Sequence, residues 1–294
     1  MTLDQFFTAI PQSLVNGLMF GGTLAVVAFG FSLVWGILNI VNLAHGAYLM
    51  LAAYFAFYWY DRLHLDPFLA ILPAMGVFFL LGYGVQRFII NNVIRAPLLV
   101  TFLLTFGIEI ILVNLALQAF GGDFRAVAPP YAGVGLTLGN VKISYIKLAT
   151  FAVSLLLAGG LHLFLTRTKT GNAIRAVGMD IDAAQLCGVR IGQTYAVTYA
   201  IATALAAAAG VLLSMIFSIT PDMGGRFNQY SFAVVVLGGL GSVPAALVGG
   251  LIFGLVDSFA GLVMPGLKDA IPFIVMILVL VVRPQGLLGK AFYK

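Results

Sequence analysis

Charged residues are scarce in this chain. Only 9% of its 294 residues are Asp, Glu, Lys or Arg, whereas 62% are hydrophobic, and the mean hydropathy is +1.08. Soluble domains carry about 25% charged residues. The composition therefore excludes a soluble protein and predicts an integral membrane protein. The net charge of +5 does not indicate nucleic-acid binding, because the basic residues lie near the ends of apolar segments, where membrane topology accounts for them.

Cysteine and the motifs of common catalytic sites are absent or nearly so. Cys187 is the single cysteine, so the chain cannot form an intramolecular disulfide. It contains no GxxxxGKS or GxxxxGKT loop for nucleotide phosphates, no HExxH metal motif and no GxSxG nucleophile. His45 has no second ligand at a useful spacing, so we expect no metal site. The sequence thus predicts no enzyme activity, no ATPase site and no cofactor in this chain.

Long apolar stretches make up most of the sequence. Several exceed the ~18 residues that mark a membrane-spanning helix, which favours helices as the spanning elements. The seventh stretch is interrupted by GGLGSVP at 238–244, which predicts a half-span followed by a full span. We expect an all-α integral membrane protein, one transmembrane domain over residues 1–294, with about eight helices and a broken or re-entrant segment near 230–245. The stretches cover 12–37, 43–60, 67–86, 97–119, 146–166, 193–218, 230–262 and 269–283.

The distribution of basic residues predicts the orientation of the chain. Cytoplasmic loops carry the excess of Lys and Arg. Nine basic residues fall in one set of loops and six in the other, so we place the larger set in the cytoplasm. Segment 167–191 and the C-terminus are then inside, and segment 120–145 is outside. The larger set is Arg87, Arg95, Arg167, Lys169, Arg175, Arg190, Arg283, Lys290 and Lys294; the smaller is Arg62, Arg125, Lys142, Lys147, Arg226 and Lys268.

The segment 167–191 is the only long polar and basic stretch between apolar ones. Its pattern predicts a short helix over Asn172–Leu186 that Gly188 ends, since glycine readily supplies such a turn. Small alanines in this helix would let it lie close in the groove of a partner. A solvated connector is the alternative, although about 25 residues with a helical pattern is long for a plain loop. The motif within the segment is an acid, two alanines, three residues and a glycine: Asp182, Ala183, Ala184 and Gly188.

Polar residues inside apolar stretches are candidates for a translocation path. Asn39, Asn42 and His45 lie in NIVNLAHGAY, and Glu109 is the only Glu in the chain. Such residues are costly in a membrane unless they are paired or face a cavity. A broken helix that lines the path is one interpretation of the first group, and hydrogen bonding between helices is the other. For Glu109, on the face of Thr101 and Thr105, a path role and a structural role both stay open.

Small residues recur at helical spacing. Gly238, Gly239 and Gly241 either present backbone groups to a cavity, as broken helices of transporters do, or form a tight turn between two helices. Two further stripes predict close helix packing, with Asp257 interfacial and a path role for it as the alternative. These stripes are Ala202, Ala206, Gly210 and Ser214, and Gly250, Gly254, Asp257 and Gly261.

Several blocks resemble a known family. The DAAxxxG motif is similar to the EAA loop of ATP-binding-cassette (ABC) importer permeases, with Asp in the Glu position. The blocks RAVGMDIDAAQLCGVRIGQTYAVTYAIATALAAAAGVL, NGLMFGGTLAVVAFGFSLVWGILNIVNLAHGAYLMLAAY, VVLGGLGSVPAALVGGLIFG and RPQGLLG resemble the branched-chain amino-acid permeases, and most closely the first of their two permease subunits. These blocks are distributed along most of the length of the chain, between residues 16 and 289.

The resemblance implies a transport subunit of the bacterial inner membrane that imports leucine, isoleucine and valine by alternating access, although relatives carry urea, amides or other amino acids. Its partners would be membrane lipid, a second homologous permease in a heterodimer, two cytoplasmic ATPases that bind ATP, and an extracytoplasmic substrate-binding protein. The rival interpretation is a secondary transporter driven by an ion gradient, with Glu109 or Asp257 as the ion site. ATPase coupling would fall on Arg175, Asp182, Ala183, Ala184 and Gly188.

Overall fold

The computed structural model of the chain describes residues 3–94, 96–139 and 141–289, with side chains described from Phe7 onward. These residues are mainly helical, with one short β-hairpin. The helices are α1 (Leu3–Leu38), α2 (Ala44–Leu63), α3 (Ile71–Phe88), α4 (Leu98–Phe120), α5 (Tyr145–Arg167), α6 (Lys169–Met179), α7 (Ile181–Leu186), α8 (Ile191–Ser214), α9 (Met223–Gly238), α10 (Val243–Val263) and α11 (Ile271–Val282), and the strands are β1 (Gly135–Leu138) and β2 (Val141–Ser144).

Six helical segments in the described residues are long and apolar enough to cross a membrane. The prediction of an all-α integral membrane protein is confirmed. Of the other helices, α2 has the length but is less apolar, while α9 and α11 have only 16 and 12 residues. The predicted stretches 43–60 and 269–283 form α2 and α11. The six segments are Phe7–Leu38, Pro67–Asn92, Leu98–Phe120, Tyr145–Arg167, Ile191–Ser214 and Val243–Val263.

Two helices form the centre of the fold. In the most apolar window of both α1 and α8, 89% of the residues are buried, whereas only 11% are buried in α4. Helix α1 packs mainly on α10 and α8, and α8 also packs on α2 and α3. The exposed side chains of α4 are mostly apolar, because lipid does not require a polar outer face. The core is therefore the pair α1 and α8 wrapped by the remaining helices.

Close approach of α1 and α10 depends on glycine. A Cβ at Gly21 would meet the backbone of Gly250 and Leu251, and a Cβ at Gly254 would meet Gly17 and Gly21. Small residues at facing positions let helix backbones touch, which is the main source of helix association in a membrane. The glycine stripe of α10 thus lies against a matching stripe of α1.

Hydrogen bonds connect neighbouring segments of the chain at both ends of the helical bundle. At the end that the basic residues predict to be outside, which we call the outer end, Gln12 exchanges two hydrogen bonds with the backbone of Lys142, at 2.7 and 3.0 Å. The opposite end is called the inner end. At the inner end Asn91 Nδ2 donates to the carbonyl of Gly192 at 3.1 Å. The predicted outer basic residues Arg125, Lys142 and Lys147 lie at the first end, and Arg87 and Arg190 at the second. Three of the predicted cytoplasmic residues lie outside the described residues: Arg95, Lys290 and Lys294.

The outer segment 120–145 contains more regular structure than its Gly and Pro content predicts. Strands β1 and β2 pair antiparallel, with Gly135 opposite Ser144. Arg125 forms an isolated bridge with Ile219, and its guanidinium donates to Tyr58 OH at 3.0 Å. These contacts tie the segment to the ends of α2 and α8.

Candidate functional site

The chain is interrupted between α1 and α2. Helix α1 ends at Leu38, and Asn39 has a positive φ of 52°, a conformation that asparagine tolerates. Thr105 Oγ1 donates to the carbonyl of Val41 at 3.0 Å and accepts from Leu43 N at 3.3 Å. Thr105 lies about two turns into α4. The interruption is therefore within the depth of the helical bundle, and Thr105 satisfies backbone groups that α1 and α2 leave free.

Asn42 and His45 belong to a buried polar cluster, but Asn39 does not. Asn39 is exposed, whereas Asn42 and His45 are at most 1% exposed. Tyr199 OH donates to Asn42 Oδ1 at 3.1 Å and lies 3.3 Å from Tyr48 OH. Sequence reasoning missed both tyrosines. Tyr199 is 157 residues from Asn42, so no local pattern could have paired them.

His45 is held by the backbone of α1. Its Nε2 lies 2.9 Å from the carbonyl of Val27, and this bond requires Nε2 to carry the proton. His45 Nδ1 and Asn42 Nδ2 are buried and have no hydrogen-bond partner among the residues described. Buried polar atoms of this kind usually find a partner. These two atoms at the start of α2 are therefore available for a further hydrogen bond.

Glu109 occupies a different environment from the threonines on its face. Thr101 and Thr105 are buried, whereas Glu109, one turn further along the same face, is only half-buried. In the described part of the chain its carboxylate has no ion pair or hydrogen bond. A carboxylate at this depth is costly in lipid, by roughly 3 kcal/mol. Glu109 therefore needs water, a proton or a second protein on this face.

Gly238, Gly239 and Gly241 form the turn between two antiparallel helices. Gly239 and Gly241 have φ of 114° and 82°, which other residues rarely adopt. A Cβ at Gly238 would meet the carbonyl of Ala245, and one at Gly239 would meet Gly289. The predicted broken segment is thus a short helix, α9, joined by a tight turn to α10.

The C-terminal segment closes on this turn. Leu287 N donates to the carbonyl of Leu237 at 3.0 Å, and Leu288 N donates to that of Gly238 at 2.9 Å. The end of α1 is also close, because a Cβ at Gly36 would meet Gly241. The turn therefore joins α1, α9, α10 and the C-terminal segment at the inner end.

The small residues of α8 lie at helix contacts. A Cβ at Gly210 would meet the carbonyl of Leu49 in α2, and one at Gly30 in α1 would meet that of Ala202. Ala206 is fully buried on the same side. These positions bring α8 against both α1 and α2.

The segment 167–191 forms two helices, not the single helix predicted over Asn172–Leu186. Thr168 Oγ1 accepts from Gly171 N at 2.9 Å and begins α6. Asp180 is extended, and its side chain accepts from Ala183 N at 2.9 Å to begin α7. A side-chain cap of this type starts a new helix, which is why the prediction of one helix was wrong. Gly188, with φ of 84°, follows α7.

The two helices form an exposed elbow, which we define as residues 168–190. Ile174 and Val177 are buried and fix α6 to the body, and a Cβ at Gly178 would meet Ile37 of α1. Met179 and Leu186 are 87% and 90% exposed, and sequence reasoning missed both. Solvated elements seldom project large apolar side chains together. The motif residues Arg175, Asp182, Ala183 and Gly188 are also exposed, whereas Ala184 is buried.

A cavity of about 490 Å³ lies between α1, α9 and α10 near the outer end. We call it the outer cavity. Its charged and amide lining consists of Asn16, Lys147, Arg226, Asp257, Lys268 and Asp269. Asp257, predicted to be interfacial with a path role as the alternative, is buried and also contributes to the wall of this cavity, where its Oδ2 lies 3.4 Å from Lys268 Nζ.

Comparison with known proteins places the chain in a family. The family described as "Branched-chain amino acid transport system / permease component" matches residues 13–280. The high-affinity branched-chain amino acid transport system permease protein BraD of Pseudomonas aeruginosa is 33% identical, with 95% of each chain covered. LivH of Escherichia coli K12, which has the same description, is 29% identical over 98% of each chain.

A probable branched-chain amino acid transport permease of Methanocaldococcus jannaschii is 28% identical over 96% of this chain and 93% of its own length. No solved structure matches the chain. The family match covers most of the chain, and the helices that carry it are those of a multi-pass protein of the cytoplasmic membrane. The chain belongs to the permease components of branched-chain amino acid transport systems.

Proposed function

We propose that this chain is a permease subunit of an ATP-driven importer that moves branched-chain amino acids across the inner membrane by alternating access. The observation that carries the proposal is the elbow. It is a capped pair of helices at the inner end, anchored by buried residues and projecting Met179 and Leu186 into solvent. Such a surface is suited to binding a soluble ATPase, because exposed apolar side chains anchor an interface when a partner buries them.

The contacts of α6 supply a route from the elbow to the membrane helices. Gly178 lies against Ile37 near the end of α1, and Gly36 lies against Gly241 in the turn between α9 and α10. A displacement of α6 by an ATPase would therefore act on α1 and on this turn together. Nucleotide can drive the change only if it binds the two orientations with different affinity.

Two cytoplasmic ATPases, a second homologous permease and an outer substrate-binding protein complete the proposed complex. The chain has no phosphate-binding motif of its own, so ATP belongs to the ATPases. The second permease would cover part of the exposed surface of α4 beside the half-buried Glu109. Lipid would cover the rest, since the exposed side chains there are apolar, among them Leu103, Phe106 and Ile110.

The helix ends favour a topology with the N-terminus outside and the elbow inside. Gln12 of α1 lies at the outer end, and α1 runs toward the inner end as far as Leu38, where the chain is interrupted within the depth of the bundle. Helix α2 then returns outward, where Tyr60 OH donates to Ala128 O at 3.1 Å. The alternation continues through α3, α4, α5, α8, α9, α10 and α11. We therefore propose that α2, α9 and α11 add to the six long spans, with α9 and α11 as short passes.

Reconstitution of the assembled complex tests the proposal. Proteoliposomes with the permeases, ATPases and binding protein should accumulate leucine only when ATP is supplied. Leu186→Asp should weaken ATPase copurification at least about fivefold, because loss of an apolar anchor costs more than about 1 kcal/mol. Gln185→Asp, at an exposed neighbouring position on α7, is the control and should retain the ATPases.

Two results would reject the proposal. Leucine uptake by the permease alone under an ion gradient would favour a secondary transporter instead. Full ATPase binding by Leu186→Asp would remove the elbow as the docking surface.

A further inference from the structure

The lining of the outer cavity combines charged groups of both signs. It contains three cationic side chains, Lys147, Arg226 and Lys268, and two carboxylates, Asp257 and Asp269. Lys268 Nζ lies 3.4 Å from Asp257 Oδ2, and Arg226 lies 3.5 Å from Asp269 Oδ1. The cations therefore outnumber the carboxylates by one in this lining.

Lys147 is the cation left over. Its Nζ lies 3.3 Å from the neutral side-chain oxygen of Asn16, and among the residues described it forms no ion pair. Lys147 is partly buried in the first turn of α5. A partly buried ammonium beside a neutral amide is a favourable contact for an added carboxylate, since hydrogen bonds between charged groups are the stronger ones.

Aromatic side chains also line the outer cavity and form one wall of it. The rings of Phe20 and Phe217 lie 5.7 Å apart, and those of Phe217 and Phe227 lie 5.5 Å apart. Ile216 and Met19 extend this apolar surface within the same cavity. Phe20 belongs to α1 and Phe227 to α9, and the segment between α8 and α9 supplies Phe217. The wall therefore presents a continuous surface for an aliphatic group.

We propose that the outer cavity is a binding subsite for an α-amino acid zwitterion with an apolar side chain. The ammonium and carboxylate of such a ligand are separated by one carbon, so the site must offer both signs close together. Asp257 takes the ammonium, Lys147 and Lys268 take the carboxylate, and the three phenylalanines take the side chain. A volume of about 490 Å³ lies within the range of small-molecule pockets, roughly 300–1,000 Å³.

The position of the outer cavity indicates at which step of transport it would bind the amino acid. It is bounded by residues of the outer end, including Lys147 and the 264–270 connection that carries Lys268. The subsite would receive the amino acid from outside before the inner end opens. This inference rests on the proposed function, because it assumes that the substrate is an amino acid.

Thiol protection tests occupancy directly. Cys187 is the only cysteine and is exposed at the elbow, so Cys187→Ser gives a cysteine-free chain into which Ser258→Cys is placed in the cavity wall. In the assembled complex, a membrane-impermeant thiol reagent applied outside should label Ser258→Cys. Leucine should slow the labelling at least about tenfold, whereas 4-methylpentanoate (no ammonium), isoamylamine (no carboxylate) and glycine (no side chain) should slow it little.

A second cysteine position allows the same measurement if the first variant does not assemble. Ile216→Cys, on the segment between α8 and α9 in the same lining, replaces Ser258→Cys if the latter fails to assemble. Labelling should be measured both without nucleotide and with ATP trapped, so that each orientation is sampled. Absence of labelling in both states, or labelling that leucine does not slow, would overturn the proposal.

A charge variant separates the subsite from the proposed function. Lys147→Gln should reduce leucine protection about tenfold or more, because it removes a hydrogen bond between charged groups. Lys142→Gln is the matched control, since its side chain is exposed and only its backbone bonds Gln12. ATP-driven leucine uptake with unchanged protection in Lys147→Gln would reject the subsite alone. Loss of ATP dependence in the unmodified complex would reject the function instead.

Discussion

Single side chains hold the irregular parts of this protein in place. Thr105 bonds two backbone groups in the interruption between α1 and α2, and Asp180 divides the elbow into two helices. Gly188 ends the elbow with a backbone conformation that favours glycine. Each residue satisfies or shapes backbone that regular helices leave unpaired. Substitutions of these residues should therefore have larger effects than the small size of their side chains suggests.

Thr105→Val should destabilise the protein more than Thr101→Val. Thr105 serves the backbone of Val41 and Leu43, whereas Thr101 Oγ1 donates only to Leu98 O within its own helix. Leaving buried backbone groups unpaired costs about 1–3 kcal/mol. Thermal unfolding in detergent should therefore show a lower Tm for Thr105→Val than for Thr101→Val. Equal Tm values for the two variants would contradict the role of Thr105.

Gly188→Val should uncouple ATP hydrolysis from uptake while the complex remains assembled. A left-handed backbone costs a residue with a Cβ about 1–2 kcal/mol, and a β-branched residue is the least tolerant. Space is not the constraint, since no atom lies within 4 Å of a Cβ built there. Gly188→Asn should retain more uptake, because asparagine tolerates this conformation. Equal uptake by both variants, measured in proteoliposomes against the ATPase rate, would exclude the backbone as the cause.

At the scale of elements, the contact between α1 and α10 organises the fold. Glycines face glycines along both helices, so the backbones approach more closely than larger side chains would allow. Helix α1 also meets α8, α9 and the elbow. A shift of α1 would therefore change the outer cavity, the inner turn and the elbow at once. The proposed coupling depends on this helix behaving as one rigid rod.

Gly21→Ala should destabilise the contact between α1 and α10. The added Cβ would meet the backbone of Gly250 and Leu251, and overpacking of this kind costs about 1–3 kcal/mol. Gly159→Ala in α5 is the control, since nothing lies within 4 Å of a Cβ there and alanine favours helix by up to ~1 kcal/mol. A Tm that falls for Gly21→Ala and is unchanged or higher for Gly159→Ala is expected. The reverse order would show that the glycine stripe is not the close contact.

The helices of this permease differ greatly in how much of their surface is buried by the rest of the chain. Its centre, α1 and α8, is sealed, whereas α4 touches the rest of the chain mainly through α2 and is largely exposed. Contact with lipid is favourable for the apolar part of the α4 surface, but it is unfavourable for the Glu109 carboxylate. The molecule therefore has a face on which a second permease would remove an unfavourable exposure.

Glu109→Ala should weaken assembly with the second permease subunit or impair transport. Glu109→Gln should retain more of both, since it keeps the side-chain size and one acceptor oxygen while it removes the charge. Gln118→Ala, at an exposed site near the outer end of α4, is the control and should behave as the unmodified chain. Copurification of the second permease and leucine uptake are the measurements. Normal results for Glu109→Ala in both assays would leave no role for this carboxylate in path or assembly.

The amino-acid sequence by itself determined the membrane class, most of the helices and the polar segment at the inner end. These follow from run length and composition, which are local properties. The tertiary structure alone decided that Tyr199 meets Asn42, that Asp180 divides the elbow, and that Lys147, Arg226 and Asp257 line one cavity. The residues of that cavity come from separate helices, and their meeting depends on how glycine-lined helices pack. Packing is a property of distant pairs, which no local pattern along the chain records.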